Sequence, residues 1–102
     1  AQYTPAVGWA QAIRYKQEVL SEGPKDAIAV VLGGDASCAT GGFWSALTIA
    51  TTQQLPLLMY VEDNGYGISV PSTYQTPGQD IATNLASFRG LTIFNGDGTD
   101  PV

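Results

Sequence analysis

The sequence predicts an α/β protein, a parallel sheet with crossover helices packed on it. Three observations predict this class. Two unbroken apolar runs of strand length, AIAVVLG (27–33) and LPLLMYV (55–61), read as strands covered on both faces. Apolar residues around them recur at helical spacing. The two patterns alternate along the chain as α-β-α-β-α-β, an order that short strands satisfy through parallel crossover connections.

Thr4-Pro5 reads as an N-cap followed by proline at the first helical position, and Ala6, Ala10, Ile13 and Leu20 follow helical spacing with Trp9 on the flank. Gly23-Pro24 stops that helix. The first strand run then ends in Gly33-Gly34-Asp35. Thr40 caps a second predicted helix, in which Phe43, Ala46, Leu47 and Ala50 form one buried stripe at i, i+3, i+4 and i+7. Leu55-Pro56 ends it and opens the second strand, after which EDNGYG (62–67) is a loop. Residues 67–71 form a short extended piece and 72–78 a polar connection. Thr76-Pro77 predicts a third helix carrying Ile81, Leu85 and Phe88 on one face and stopping at Gly90, and LTIFN (91–95) predicts a third strand. Three strands leave poorly covered edges, so the 102 residues read as a three-stranded portion of a larger doubly wound domain, or as a subunit built into an oligomer.

Composition narrows the function. Hydrophobic residues are 44% of the chain, which supports one core, and no apolar run approaches the ~20 residues of a membrane span. Charged residues are 13%, about half the ~25% of an ordinary domain, as expected where much of the surface is covered by something else. Four Lys and Arg against nine Asp and Glu give a net charge of −5, which excludes nucleic-acid binding through a basic face. There is no histidine, and the single cysteine, Cys38, has no base to activate it. No basic residue falls between Lys25 and Arg89, so an anion bound in that stretch relies on backbone N–H groups, a helix terminus or a metal ion.

Ligands of parallel α/β sheets sit beyond the carboxyl ends of the strands. Asp35 follows the first strand and Asn64 the second, twenty-nine positions later. On neighbouring strands they face one crevice, and one carboxylate, one carboxamide oxygen and a nearby backbone carbonyl suit a hard cation such as Mg²⁺. The small-residue loop from Ala36 to Gly42 brings backbone N–H groups within reach of a phosphate.

The stretch GGDASCATGGFWSALTIATTQQLPLLMYVEDNGYGISVP (33–71) resembles the thiamine-diphosphate motif, Gly-Asp-Gly followed by just under thirty residues and Asn-Asn. With AQYTPAVGWAQAIRY before it and NGDGTDPV after it, nearly the whole chain resembles the alpha subunit, or alpha-like half, of the thiamine-dependent 2-oxo acid dehydrogenases. That family decarboxylates pyruvate or branched-chain 2-oxo acids on thiamine diphosphate and Mg²⁺ and passes the acyl group to a lipoyl arm. The resemblance implies that Asp35 and Asn64 ligate Mg²⁺, that the Tyr66 main-chain carbonyl completes the protein ligands, and that Gly34, Ala36 and Ser37 touch the diphosphate. It implies two partners, a pyrimidine-binding beta subunit or domain and a lipoyl-bearing acyltransferase component. It also implies that residues 1–102 are a partial domain, inactive alone, with a cofactor-contacting segment and a histidine-bearing loop beyond its ends. The compartment expected is the cytoplasm, or an organelle matrix if a leader is removed.

The chain departs from the pattern at three places. Ala36 replaces the motif's second glycine, at a cost of about 1 kcal/mol if that position needs positive φ. Asp63 replaces the first asparagine, and Ser45 stands at a frequently acidic position. Ala36, Asp63 and the missing histidines favour an alternative, a non-catalytic α/β module with a lapsed cofactor site. Asp97, in a second Gly-Asp-Gly, reads as a turn residue because no partner asparagine follows. Trp9, Phe43 and Trp44 read as core or interface, and Glu62 as either a cofactor contact or a solvated strand end.

Overall fold

The computed structural model describes residues 2–101. Helix α1 runs Tyr3–Glu18, strand β1 Ala29–Gly34, helix α2 Gly41–Gln53 and strand β2 Leu57–Glu62. A two-residue strand pair follows, β3 at Tyr66–Gly67 and β4 at Val70–Pro71, and then one turn of helix, α3, at Ile81–Asn84. Short 3₁₀ turns occupy Asp35–Ala39, Ser72–Tyr74 and Pro77–Gln79.

The predicted parallel crossover is present. β1 pairs with β2 in parallel register, from Ala29 opposite Leu57 to Gly34 opposite Glu62, with α2 as the connection. Helix α1 buries Tyr3, Ala6, Val7 and Ala10, and α2 buries Phe43, Ala46, Leu47 and Ala50. All of these but Ala10 join Val31, Cys38 and Leu85 in one cluster, flanked by Leu57, Met59 and Val61. Small residues in both stripes let the helices pack close to each other, and α1 close to β1.

Both helices cover the same face of the sheet. The opposite face, made by the cross-strand pairs Val30–Leu58 and Leu32–Tyr60, is exposed, so the strands are covered on one face and not on both as expected.

The first helix begins two residues earlier than predicted, with Gln2 and not Thr4 at the cap; the Ala6 N–H bonds the Gln2 carbonyl and no side chain caps the turn. Trp9 is 71% exposed on its outer face, so of the three singled-out aromatics Phe43 alone is core.

The predicted third helix and third strand do not form as read. Gly78 and Gln79 have φ of 65° and 56°, two successive left-handed residues that break the helix expected from Thr76-Pro77. α3 resumes only after Asp80, whose carboxylate accepts from the Thr83 N–H at 3.2 Å. The segment thus supplies no crossover helix, and residues 91–95 carry no strand; Leu91 packs against the core while Phe94 is exposed. The run pairs with neither edge of the β1–β2 sheet. Asp97 is the turn residue expected, its carboxylate accepting from the Thr99 N–H at 2.9 Å and hydroxyl at 2.6 Å, bonds that hold its carboxyl below the usual range.

The second helix is well terminated. The Thr40 hydroxyl accepts from the Phe43 N–H at 3.4 Å and donates to the Ser37 carbonyl at 2.7 Å. At the other end Gln54 is left-handed, and the Arg14 guanidinium from α1 donates to the Gln53 and Gln54 carbonyls. Thr40→Ala is therefore expected to cost about 1 kcal/mol in urea denaturation, with no change in the cooperativity of the transition.

Candidate functional site

Because β1 and β2 are parallel neighbours ending at Gly34 and Glu62, Asp35 and Asn64 leave the sheet at the same rim. Asp35 opens the 3₁₀ turn directly after β1 and is 3% exposed. Its Oδ1 is buried with no hydrogen-bond partner. A buried carboxylate oxygen without a donor is costly, and a cation or an additional donor removes that cost.

On the second strand's side, Glu62, Asp63 and Asn64 are exposed. Asp63 Oδ1 accepts from the Gly65 N–H at 3.3 Å, and Asn64 Oδ1 accepts from the Tyr66 N–H at 3.0 Å. The Asn64 bond orients its oxygen and leaves that oxygen a second lone pair. Tyr66 sits opposite Pro71 in the β3–β4 ladder, next to the Ser72 N–H to Gly65 carbonyl bond, so the two form a non-hydrogen-bonded pair. The Tyr66 carbonyl therefore receives no ladder bond from its partner. Glu62 is exposed at the last register position of β2.

The two halves of the rim meet through small residues. A Cβ on Gly67 would lie 2.7 Å from the Ala36 Cβ and within 2.9 Å of both amide atoms of Gln75. That close approach seats β3 against the Asp35 turn. Ala36 is not among the residues with positive φ, so alanine is unstrained where the motif's second glycine was expected to be needed. Strain falls elsewhere, on Ile68 at the hairpin tip, a β-branched residue with φ of 58° and a fully exposed side chain. Ile68→Asn is expected to stabilise the protein by about 1 kcal/mol in thermal denaturation, since asparagine tolerates this conformation and no burial is lost.

Gly34 and Ser37 are engaged inside the turn. The Ser37 hydroxyl donates to the Gly34 carbonyl and lies 2.6 Å from the Tyr3 hydroxyl, so toward an anion Ser37 has its backbone N–H to offer. Cys38 is buried in the same turn. Burial pushes its thiol up, and the Asp35 and Asp63 carboxylates push it further, which keeps it a neutral packing group. Nothing cationic from this chain's 26–88 segment enters the rim. Among the described residues no three His, Cys, Asp or Glu side chains cluster as a metal site. The oxygen groups that leave the sheet at this rim are one carboxylate, one carboxamide and one carbonyl, the hard type of donor that Mg²⁺ prefers.

Sequence patterns gave no signal for Tyr3, Gly33, Gly67 or Pro71.

The family model described as dehydrogenase E1 component matches residues 1–102. The chain belongs to this E1 family. It is 32% identical over 97% of its length to the protein named 2-oxoisovalerate dehydrogenase subunit alpha, mitochondrial, of Caenorhabditis elegans. It is 28% identical over 98% of its length to the pyruvate dehydrogenase E1 component subunit alpha of Staphylococcus aureus. A third relative is the chloroplastic pyruvate dehydrogenase E1 component subunit alpha-3 of rice, at 32% identity over 93% of the chain. The E1 chain spans 21%, 25% and 23% of these three curated relatives. No helix among its described residues is long and apolar enough to cross a membrane.

Proposed function

We propose that this E1 chain, residues 1–102, is a partial thiamine-diphosphate-binding domain, the Mg²⁺- and diphosphate-holding segment of a 2-oxo acid dehydrogenase alpha subunit. The substrate is pyruvate or a branched-chain 2-oxo acid. The observation that carries the reading is the buried, unpartnered Oδ1 of Asp35, placed at the carboxyl-end rim shared with Asn64. In it, Asp35, Asn64 and the Tyr66 carbonyl hold Mg²⁺, while backbone N–H groups around Gly34, Ala36 and Ser37 take diphosphate oxygens. The acidic rim relies on the metal for neutralisation.

Thiamine diphosphate supplies the electron sink for loss of carbon dioxide from the 2-oxo acid. The contribution of this chain's own residues is orientation. Asp35 comes from the end of a strand, Asn64 is fixed by its bond to the Tyr66 N–H, and Ala36 against Gly67 sets their separation. A pyrimidine-binding beta subunit or domain completes the site, and a lipoyl-bearing acyltransferase component takes the acyl group, in the cytoplasm or an organelle matrix. By itself the segment turns over no substrate.

Two features support a wider sheet. The Val30, Leu32, Leu58, Tyr60 face is apolar and open, and the E1 chain spans about a quarter of its relatives. We read β1 and β2 as part of a doubly wound sheet with further strands and helices. The lapsed-site alternative loses its support at Ala36, which is unstrained.

Thermal denaturation of the full-length protein with its partner tests the reading. Saturating Mg²⁺ with thiamine diphosphate raises the melting temperature of wild type, by the equivalent of about 2.7 kcal/mol at a hundredfold excess over Kd, and leaves Asp35→Ala unmoved. Equal behaviour of the two proteins overturns it.

A further inference from the structure

Tyr3 enters the core from the first turn of α1, thirty-four positions before Ser37. Its side chain is almost wholly buried, and its ring packs edge-on against Phe43 of α2, with centroids 5.1 Å apart and planes at 79°. Phenylalanine would fill that space as well. The hydroxyl is therefore the informative atom, because a buried hydroxyl is costly unless it is bonded. It lies 2.6 Å from Ser37 Oγ, and Ser37 spends its own proton on the Gly34 carbonyl. With that proton committed, Tyr3 is the donor, and the chain of bonds runs Tyr3 Oη to Ser37 Oγ to Gly34 carbonyl. Burial raises the phenol above its ordinary range, so it remains a donor through the neutral range. Gly33 makes room for the relay: a Cβ there would sit 2.8 Å from Ser37 Oγ and overlap the Tyr3 hydroxyl.

These bonds close on the residues either side of Asp35. We infer that Tyr3 is a positioning residue, whose hydroxyl locks the Gly34–Ser37 turn so that Asp35 and the turn's N–H groups are held ready for a divalent cation and a diphosphate. The inference rests on the cofactor reading given above for its ligand, but not for the rigidity it assigns to the turn. Helix α1 thereby sets the affinity of a site from which its own side chain is withdrawn into the core.

The experiment compares wild type, Tyr3→Phe, Ser37→Ala and the double variant in the full-length protein. In ligand-free protein, amide hydrogen exchange at Ala36, Ser37 and Cys38 is expected to quicken about five- to tenfold in Tyr3→Phe, while exchange in the middle of α1 and β1 holds. In titrations with Mg²⁺ plus thiamine diphosphate followed by thermal shift, the apparent Kd is expected to weaken by a similar factor. Ser37→Ala reproduces both effects, and the double variant adds little to either single one, because one relay is broken in all three. Unchanged exchange in Tyr3→Phe overturns the inference, as does a uniform quickening across α1 and β1, or full additivity of the two substitutions. A wild type that binds no Mg²⁺ or thiamine diphosphate sinks the cofactor reading, and the exchange measurements still decide the role of Tyr3.

Discussion

Replacing Asp35 with asparagine is expected to raise the melting temperature of the ligand-free protein and to abolish the rise that Mg²⁺ and thiamine diphosphate give the wild type. The two effects have one cause. Asp35 is 3% exposed and its Oδ1 has no donor, so without a cation the protein bears the cost of a desolvated, unpaired carboxylate oxygen. Asparagine keeps the shape and removes the charge, and a neutral amide is far cheaper to bury. The expected gain is about 1–3 kcal/mol, seen as a melting temperature several degrees higher. The loss of response follows because a neutral amide is a poor ligand for a hard divalent ion. Differential scanning calorimetry of both proteins, with and without ligand, measures both halves. A lower melting temperature for ligand-free Asp35→Asn would show that the carboxylate is stabilised without metal and would remove the main support for the site.

The parts of the fold legible in the sequence are those that local pattern determines. The α2 stripe of Phe43, Ala46, Leu47 and Ala50 is buried as read, and Thr40 caps it as read, because helix periodicity and capping are decided within a few residues. The β1 and β2 runs form strands, and the crossover rule makes them parallel. Residues 91–95 satisfied the same composition test and do not form a strand, because a strand exists only against a neighbour. The break after Thr76 had a signal in the turn dipeptide Pro77-Gly78, whereas Gln79 in a left-handed conformation has no signature in its residue type. The apolar runs also left open which face would be covered, and α1 and α2 pack on only one.

For the site, the interval between Asp35 and Asn64 was readable because a strand, a helix and a second strand fix how far apart two rim residues fall in the chain. The supporting shell was not. Tyr3 obeys helix spacing like any core residue, and its hydroxyl acquires a purpose only when α1 is laid beside the end of β1. Gly67 and Ala36 likewise become a pair only through a contact between residues thirty-one positions apart. Spacing identifies the groups that reach a ligand, whereas tertiary packing selects those that hold them still.

Phe43→Ala is the substitution expected to cost the most stability. Phe43 is 1% exposed, and its ring meets two others edge-on, Tyr3 at 5.1 Å and Trp44 at 5.4 Å. Truncation leaves a cavity between α1 and α2 and removes both aromatic contacts, at about 3–5 kcal/mol. A domain of this size has about 5–15 kcal/mol in total, so the variant retains a small fraction of wild-type stability. Trp44→Ala provides the contrast: its side chain is 40% exposed, so losing one of the same ring pairs costs less than half as much. Urea denaturation followed by circular dichroism measures both. Phe43→Leu carries the argument to the rim, since leucine keeps most of the buried area but not the edge that steadies the Tyr3 ring. It should fold, cost about 1–2 kcal/mol, and quicken amide exchange at Ala36–Cys38 more than in the outer turns of α2. Equal quickening throughout α2 would mean that the Phe43 ring supports the helix without fixing the Asp35 turn through Tyr3.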